Sequence, residues 1–175
     1  MALELRIRKA KPEDIPRLWD FKKEHRAYDR SLLGPKFKIF FSWDVNDKGK
    51  GRETARLKKE VNDKDVLILV AEQRGELLGY SKAMIVKRND EFVNPKNYQR
   101  TGYVSDLFVT KTARGRRISS GLLKDTLRWF EKNKINYAEL HVFADNGQAI
   151  GIYQRFGFEP FRLQMKKKLK ASKPS

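Results

Sequence analysis

Apolar and charged residues alternate along 3–8, where Leu3, Leu5 and Ile7 share one face, and this predicts a half-buried strand. Residues 66–72 and 77–86 are strongly β-like, and Gln73-Arg74-Gly75-Glu76 between them predicts a hairpin turn. Other segments follow the helical period. Lys11-Pro12-Glu13-Asp14 opens a helix, with proline near its first turn and acids at its positive end. Ile15, Leu18 and Trp19 start its amphipathic face, and residues 22–28 continue it. Residues 52–62 read as a charged helix.

Residues 103–130 carry both periods. Val104, Leu107, Phe108 and Val109 predict a strand, and Arg114-Gly115-Arg116-Arg117 a short basic turn. Ile118, Leu122, Leu123, Leu127 and Phe130 then fall on one side of a helix that begins with Ser119 and Ser120. Further on, residues 137–143 predict a strand and 146–155 a short helix. Phe156-Gly157-Phe158 ends that helix with a left-handed glycine. Residues 161–169 predict a last strand with Leu163, Met165, Lys167 and Leu169 on one face, and 171–175 a frayed basic tail. Residues 87–100 read as a polar loop. Residues 32–51 hold Phe37, Phe40, Phe41 and Trp43, which serve either as core filler or as one wall of a substrate pocket. There is no internal repeat and no linker, so residues 1–170 are expected to form a single α/β domain.

Composition narrows the setting. With 39% hydrophobic and 11% aromatic residues, the 175-residue chain can build a core despite 35% charged residues. Cysteine is absent, which excludes disulfides and thiolate metal sites, and no metal is expected. No apolar run approaches the roughly 20 residues of a membrane span. The first residues, MALELRIRKAKPEDI, have charges where a signal peptide needs an apolar core, so the expected location is cytoplasmic. The net charge is 39 − 22 = +17. Lys166, Lys167, Lys168, Lys170 and Lys173 account for five, and the remaining 17 − 5 = +12 belongs to the body of the chain. Such a surface attracts anions: phosphate-rich cofactors, nucleic acid or acidic proteins.

That charge gives the turn at 114–117 a candidate chemistry. The first N–H groups of a helix have no partner inside it, and the helix dipole favours negative charge there. Arg114, Arg116 and Arg117 add guanidinium groups that pair well with phosphate oxygens. A plain strand–loop–helix with a solvated basic turn fits the same residues.

A second motif changes the balance. Asn146, Ala149, Tyr153, Gly157 and Phe158 stand in the spacing N-x-x-A-x-x-x-Y-x-x-x-G-F, beyond a strand–RGxxI–helix segment. The pair resembles the GNAT superfamily of acyl-CoA-dependent N-acyltransferases, and the likeness extends over roughly residues 3–169. It implies a mostly antiparallel mixed sheet of six to seven strands flanked by about four helices, its central strands splayed around acetyl-CoA. It also implies that the main chain of Leu107, Phe108 and Val109 binds the acetyl-pantetheine arm. The turn and helix start at Arg114, Gly115, Arg116, Arg117, Ile118, Ser119 and Ser120 would hold the pyrophosphate. Asn146 would touch the pantetheine, and the Tyr153 hydroxyl would point at the sulfur. The turn departs from the family's usual R/Q-x-x-G-x-G/A, because Arg117 and Ser119 stand where small residues let backbone approach phosphate.

The implied reaction is attack of a neutral amine on a thioester carbonyl. At a reference pKa of about 10.4, roughly one alkyl amine in 2,500 is neutral at pH 7, so a base is useful. A tyrosine hydroxyl can donate to the departing thiolate, which assigns the acid role to Tyr153. In polyamine acetyltransferases of the superfamily the central strand resembles E-D-F-F-V, with glutamate as base. Here the run is Ser105-Asp106-Leu107-Phe108-Val109, with serine in that place. In the ribosomal-protein N-terminal acetyltransferases a glutamate lies five residues before the motif asparagine, and here that residue is His141. His141 and then Asp106 are the candidate bases, His141 because imidazole titrates near neutrality.

The acceptor is expected to be an amine on a small molecule or a protein, and the chain a monomer or homodimer. A different class of function, a non-catalytic nucleic-acid- or ribosome-binding module, rests on the charge and on aromatics among lysines at 36–41. The basic residues are spread widely, so any nucleic-acid binding is expected to be weak and non-specific.

Overall fold

β1 (Arg6–Lys9), β2 (Val66–Gln73), β3 (Glu76–Val86), β4 (Thr101–Val109) and β5 (Ala138–Leu140) form one sheet in that order. The computed structural model describes residues 4–34, 49–87 and 100–167. The first four strands pair antiparallel and β5 joins β4 in parallel. The α-helices of the described residues are α1 (Ile15–Leu32), α2 (Lys50–Glu60), α3 (Ile118–Lys132) and α4 (Gly147–Arg155). This is the expected mixed α/β class.

The hairpin forms where the sequence places it. Arg74 and Gly75 both take positive φ, 56° and 76°, as a two-residue turn matched to the right-handed twist of its strands requires. β2 is apolar on both faces because helices cover both. Ile68 and Val70 pack with Leu18 and Phe21 of α1 and Leu57 of α2. Leu67, Leu69 and Ala71 pack with Ile118 and Leu122 of α3 on the opposite face. A third cluster continues along α3, where Leu123 and Phe130 meet Val104, with Ile152 and Tyr153 of α4 packed against it.

One irregularity positions the chemistry. Lys82 pairs with Asp106 but Ala83 pairs with Val104, so Ser105 is an extra residue in β4. Such a bulge reverses which residues face which side. Val104 points toward α3, whereas Asp106 and Phe108 beyond the bulge face α1.

The strand count differs from expectation, five among the described residues rather than six to seven. Residues 137–143 supply only the three-residue β5, and His141 to Phe143 leave the sheet. β5 pairs with β4 only at Gly102, Tyr103 and Val104, just before the bulge, and the ladder stops there. Residues 161–167 are not a strand either. Phe161, Leu163 and Met165 are 88%, 76% and 85% exposed, so their alternation meets no partner face among the described residues. Pro12–Asp14 form a 3-10 turn before α1 rather than its first turn. Phe37, Phe40, Phe41, Trp43, the lysines at 36–41, most of the 87–100 loop, Lys168, Leu169 and the 171–175 tail lie outside the described residues.

Candidate active site

Beyond Val104 the β5 side of β4 has no strand partner among the described residues, and a cavity of about 180 Å3 opens there. Three walls surround it. β4 contributes Val104 to Val109, α4 contributes Ala149, Ile152 and Tyr153, and α1 contributes His25, Tyr28 and Asp29. Arg114, Ser119, His141 and Asn146 complete the lining. The open strand edge supplies what an extended amide-bearing chain needs, unpaired main-chain donors and acceptors.

The turn sorts its arginines. The Arg114 guanidinium stacks 4.3 Å over the Tyr28 ring, and its Nε donates to the Val109 carbonyl at 3.2 Å. It thereby ties α1 to the end of β4 and stays at the cavity. Arg116 turns away and donates to Gln73 Oε1 at 2.6 Å. Arg117 is exposed and caps α3 in the left-handed conformation, φ 59° and ψ 17°, with no side-chain cap hydrogen bond. Gly115 also takes a positive φ of 80°, which glycine adopts without strain. Ser119 and Ser120 follow inside the first helical turn, and Ile118 is buried in the core. The departure at Arg117 is thus accommodated by a left-handed residue with its side chain in solvent.

α4 starts at Asn146, whose Oδ1 accepts from the Ala149 N–H at 3.2 Å. Its amide Nδ2 keeps both donors, which have no partner among the described residues. Seven residues on, Tyr153 is half-buried, and its ring meets Phe158 edge-on at 5.9 Å. Burial and the Asp29 and Asp106 carboxylates push the Tyr153 phenol up to about 12, so it keeps its proton at any ordinary pH.

The two candidate bases occupy different settings. His141 is exposed at the lip of the cavity, its Nδ1 3.4 Å from the Tyr103 hydroxyl. Asp106 lies at the floor. It accepts hydrogen bonds from Tyr80 at 3.0 Å and Ser105 at 2.9 Å, and faces Lys22 Nζ at 3.7 Å and His25 Nδ1 at 3.8 Å. Burial alone would raise its carboxyl, but His25, Lys22 and Ser105 outweigh it and hold Asp106 well below the carboxylate range. Asp106 is therefore a fixed negative charge and a very weak base. Lys22 is itself buried and pairs with Glu53 of α2 at 3.0 Å, which anchors the floor to a second helix. The stack of Phe21 on Tyr80, 5.7 Å between ring centres and 2° from parallel, supports it from below.

The α1 wall is absent from the sequence-based site. Its signal lies in the helix pattern: Leu18 and Phe21 continue into Lys22, His25 and Asp29, polar residues at spacings that keep the core face. Polar side chains on a buried face need partners, and here those partners surround the cavity.

Residues 20–158, more than half of the chain, match the family model described as the acetyltransferase (GNAT) family. No curated protein matches the chain in sequence. Similar solved structures include a predicted acetyltransferase with acetyl-CoA from Clostridium acetobutylicum, 17% identical, covering 94% of this chain and 96% of that one, TM-score 0.71. A mutant of the BH1408 protein from Bacillus halodurans is 19% identical, with 94% and 99% coverage and TM-score 0.76. AAC(6')-Iy in complex with a CoA-linked bisubstrate analogue is 14% identical, with 95% and 99% coverage and TM-score 0.71. These likenesses establish a shared fold, and with the family match over most of the chain they place the protein in the acetyltransferase (GNAT) family.

Proposed function

We propose that the chain transfers an acetyl group from acetyl-CoA to a primary amine by direct attack of the amine on the thioester. One observation carries this reading: the Tyr153 phenol lines the same cavity as the open backbone edge at Leu107 to Val109. The presence of acetyl-CoA or CoA in related structures supports the same cosubstrate here. When bound, acetyl-CoA supplies an activated acyl group. The remaining work falls to this chain. The main chain of Leu107, Phe108 and Val109 orients the pantetheine arm, and an N–H of this edge stabilises the oxyanion. The helix start from Gly115 to Ser120, with Arg114 beside it, neutralises the pyrophosphate. Asn146 donates through Nδ2 to a pantetheine carbonyl, and Tyr153 donates to the departing sulfur.

Asp29 and Asp106 give the cavity an acidic character inside a chain of net charge +17. That combination favours a cationic amine as acceptor, of which the aminoglycosides acted on by AAC(6')-Iy are one example. A screen of small amines and peptides with acetyl-CoA, reading released thiol, tests the proposal. Turnover with at least one amine is expected, and thiol release no faster than hydrolysis across the panel would reject it. The +17 charge also favours weak nucleic-acid binding, which should be sequence-independent and fall steeply with salt.

A further inference from the structure

We propose that His25 removes the proton from the acceptor's alkylammonium group, with Asp29 holding that group beside it and Asp106 fixing the imidazole from behind. The inference rests on the acetyl-transfer reading and names the acceptor class as an amine that arrives as a cation.

The ring is held between two carboxylates. His25 Nδ1 faces Asp106 Oδ1 at 3.8 Å, and Nε2 faces Asp29 Oδ2 at 3.7 Å. Its centre lies 5.3 Å from that of the Phe108 ring, with the two planes tilted by 31°, on the strand that borders the cavity. The two carboxylates are not equivalent. Asp106 already has four partners, Tyr80, Ser105, Lys22 and His25. Asp29 has only His25 among the described residues, at 3.7 Å, and it lines the cavity. With Nδ1 turned to Asp106, the His25 ring presents Nε2 to Asp29. A nitrogen donor about 2.9 Å from both Nε2 and Oδ2 bridges the 3.7 Å gap between them. Asp29 therefore draws in the ammonium at the place where His25 can accept its proton.

The charged and titratable groups around His25 are consistent with this assignment. Asp29 and Lys22 lie on its own helix, Asp106 on β4, Tyr80 on β3, Tyr153 on α4 and Arg114 ahead of α3. Lys22 is engaged by Glu53 and Asp106, and Arg114 by Tyr28 and Val109. Burial raises the Asp29 carboxyl, with the nearby Asp106 charge adding to it and His25 opposing. A cation placed beside Asp29 relieves that penalty.

The proton balance is complete. Alkylammonium loses one proton to His25 Nε2, and the imidazolium returns it to solvent. The neutral nitrogen then forms the C–N bond as the C–S bond breaks. The second nitrogen proton reaches the sulfur through water while Tyr153 donates a hydrogen bond to the same atom. The products are the amide, the free thiol and one released proton.

The test uses the 175-residue chain, acetyl-CoA and two probe amines: propylamine, protonated at neutral pH, and methoxyamine, which is weakly basic and already neutral. His25→Gln should lower kcat/KM for propylamine about 10²-fold or more, the usual worth of a positioned base, and leave methoxyamine nearly unaffected. The acidic limb of the propylamine pH profile should disappear with it. Equal losses for both amines, or an unchanged acidic limb, would overturn the proposal. Two measurements do not depend on turnover. Calorimetric acetyl-CoA affinity of His25→Gln should match the wild type, and a loss of affinity as large as the loss of kcat/KM would overturn the proposal. The His25 imidazole NMR signals should shift on adding propylamine to wild-type enzyme but not to Asp29→Asn; no shift in the wild type would overturn the proposal. If the wild type binds propylamine at His25 yet acetylates neither amine, the acetyl-transfer reading fails instead.

Discussion

Replacing Tyr153 by phenylalanine removes one oxygen and keeps the ring against Phe158, so its effect reports on the hydroxyl alone. The structure fixes what that hydroxyl can do. Burial and the nearby Asp29 and Asp106 carboxylates push it up to about 12. A thiol titrates near 8.5, so complete transfer of the phenol proton to the leaving sulfur runs uphill by roughly 5 kcal/mol. Tyr153 therefore acts by hydrogen bonding to developing thiolate rather than by giving up its proton. A hydrogen bond to an anion is worth about 1.5–3 kcal/mol, and each 1.36 kcal/mol in the barrier is tenfold in rate. Tyr153→Phe should thus lower kcat by roughly 10- to 150-fold while acetyl-CoA affinity stays unchanged. Single-turnover mixing of enzyme, acetyl-CoA and a reactive amine isolates the chemical step. The sign of the pKa shift adds a second check: a phenol held protonated gives no alkaline limb near pH 10, the value for free tyrosine. Full kcat in Tyr153→Phe would refute the assignment, and a tyrosine-dependent limb near that pH would refute the environment described for it.

Three further outcomes follow from the same geometry. Asp106→Asn should cost about 3 kcal/mol at neutral pH, because charge-assisted hydrogen bonds weaken and buried Lys22 loses a counter-charge. The Asp106 carboxyl is depressed in the fold, so its stabilisation is present above about pH 4 and is lost on acidification, by about 1.4 kcal/mol per pH unit. Urea unfolding should show the gap between the two proteins narrowing below that pH, and a gap independent of pH would contradict this account. Arg117→Gly should raise stability by up to about 1 kcal/mol, since relief of a left-handed residue outweighs the added chain entropy; a lower melting temperature would contradict it. Arg114→Ala should weaken acetyl-CoA binding and flatten its salt dependence, measured by calorimetry, whereas Arg116→Ala, whose guanidinium lies on Gln73, should do neither.

The elements with a strong period were legible from sequence: β2 and β3 with their Arg74-Gly75 turn, α3 with its apolar stripe, and α4 with its asparagine cap. Among the described residues fewer strands form than the pattern predicts, for different reasons. At β5 the ladder needs a partner, and the Ser105 bulge takes β4 away after Val104. Along 161–167 the alternation is real, but a strand requires an edge to pair with and alternation alone does not supply one. Tyr153, Asn146 and Arg114 were found through local motifs, and the fold brings all three to one cavity. His25 and Asp29 were not found, because their one local mark is that they continue the core face of α1 with polar side chains, which does not say what they face. Their meaning depends on Asp106, about 80 residues away, and on a bulge that turns it toward α1. The same long-range packing exposes His141 at the lip and locks Asp106 as a permanent charge.

A calorimetric titration of the 175-residue chain with acetyl-CoA at low and high salt tests the acetyl-CoA site most directly. Saturable binding at one site that weakens as salt rises is expected, since a helix start and Arg114 carry the phosphate contacts. An absence of binding heat at millimolar acetyl-CoA, with no competition by CoA in a parallel fluorescence titration, would contradict it.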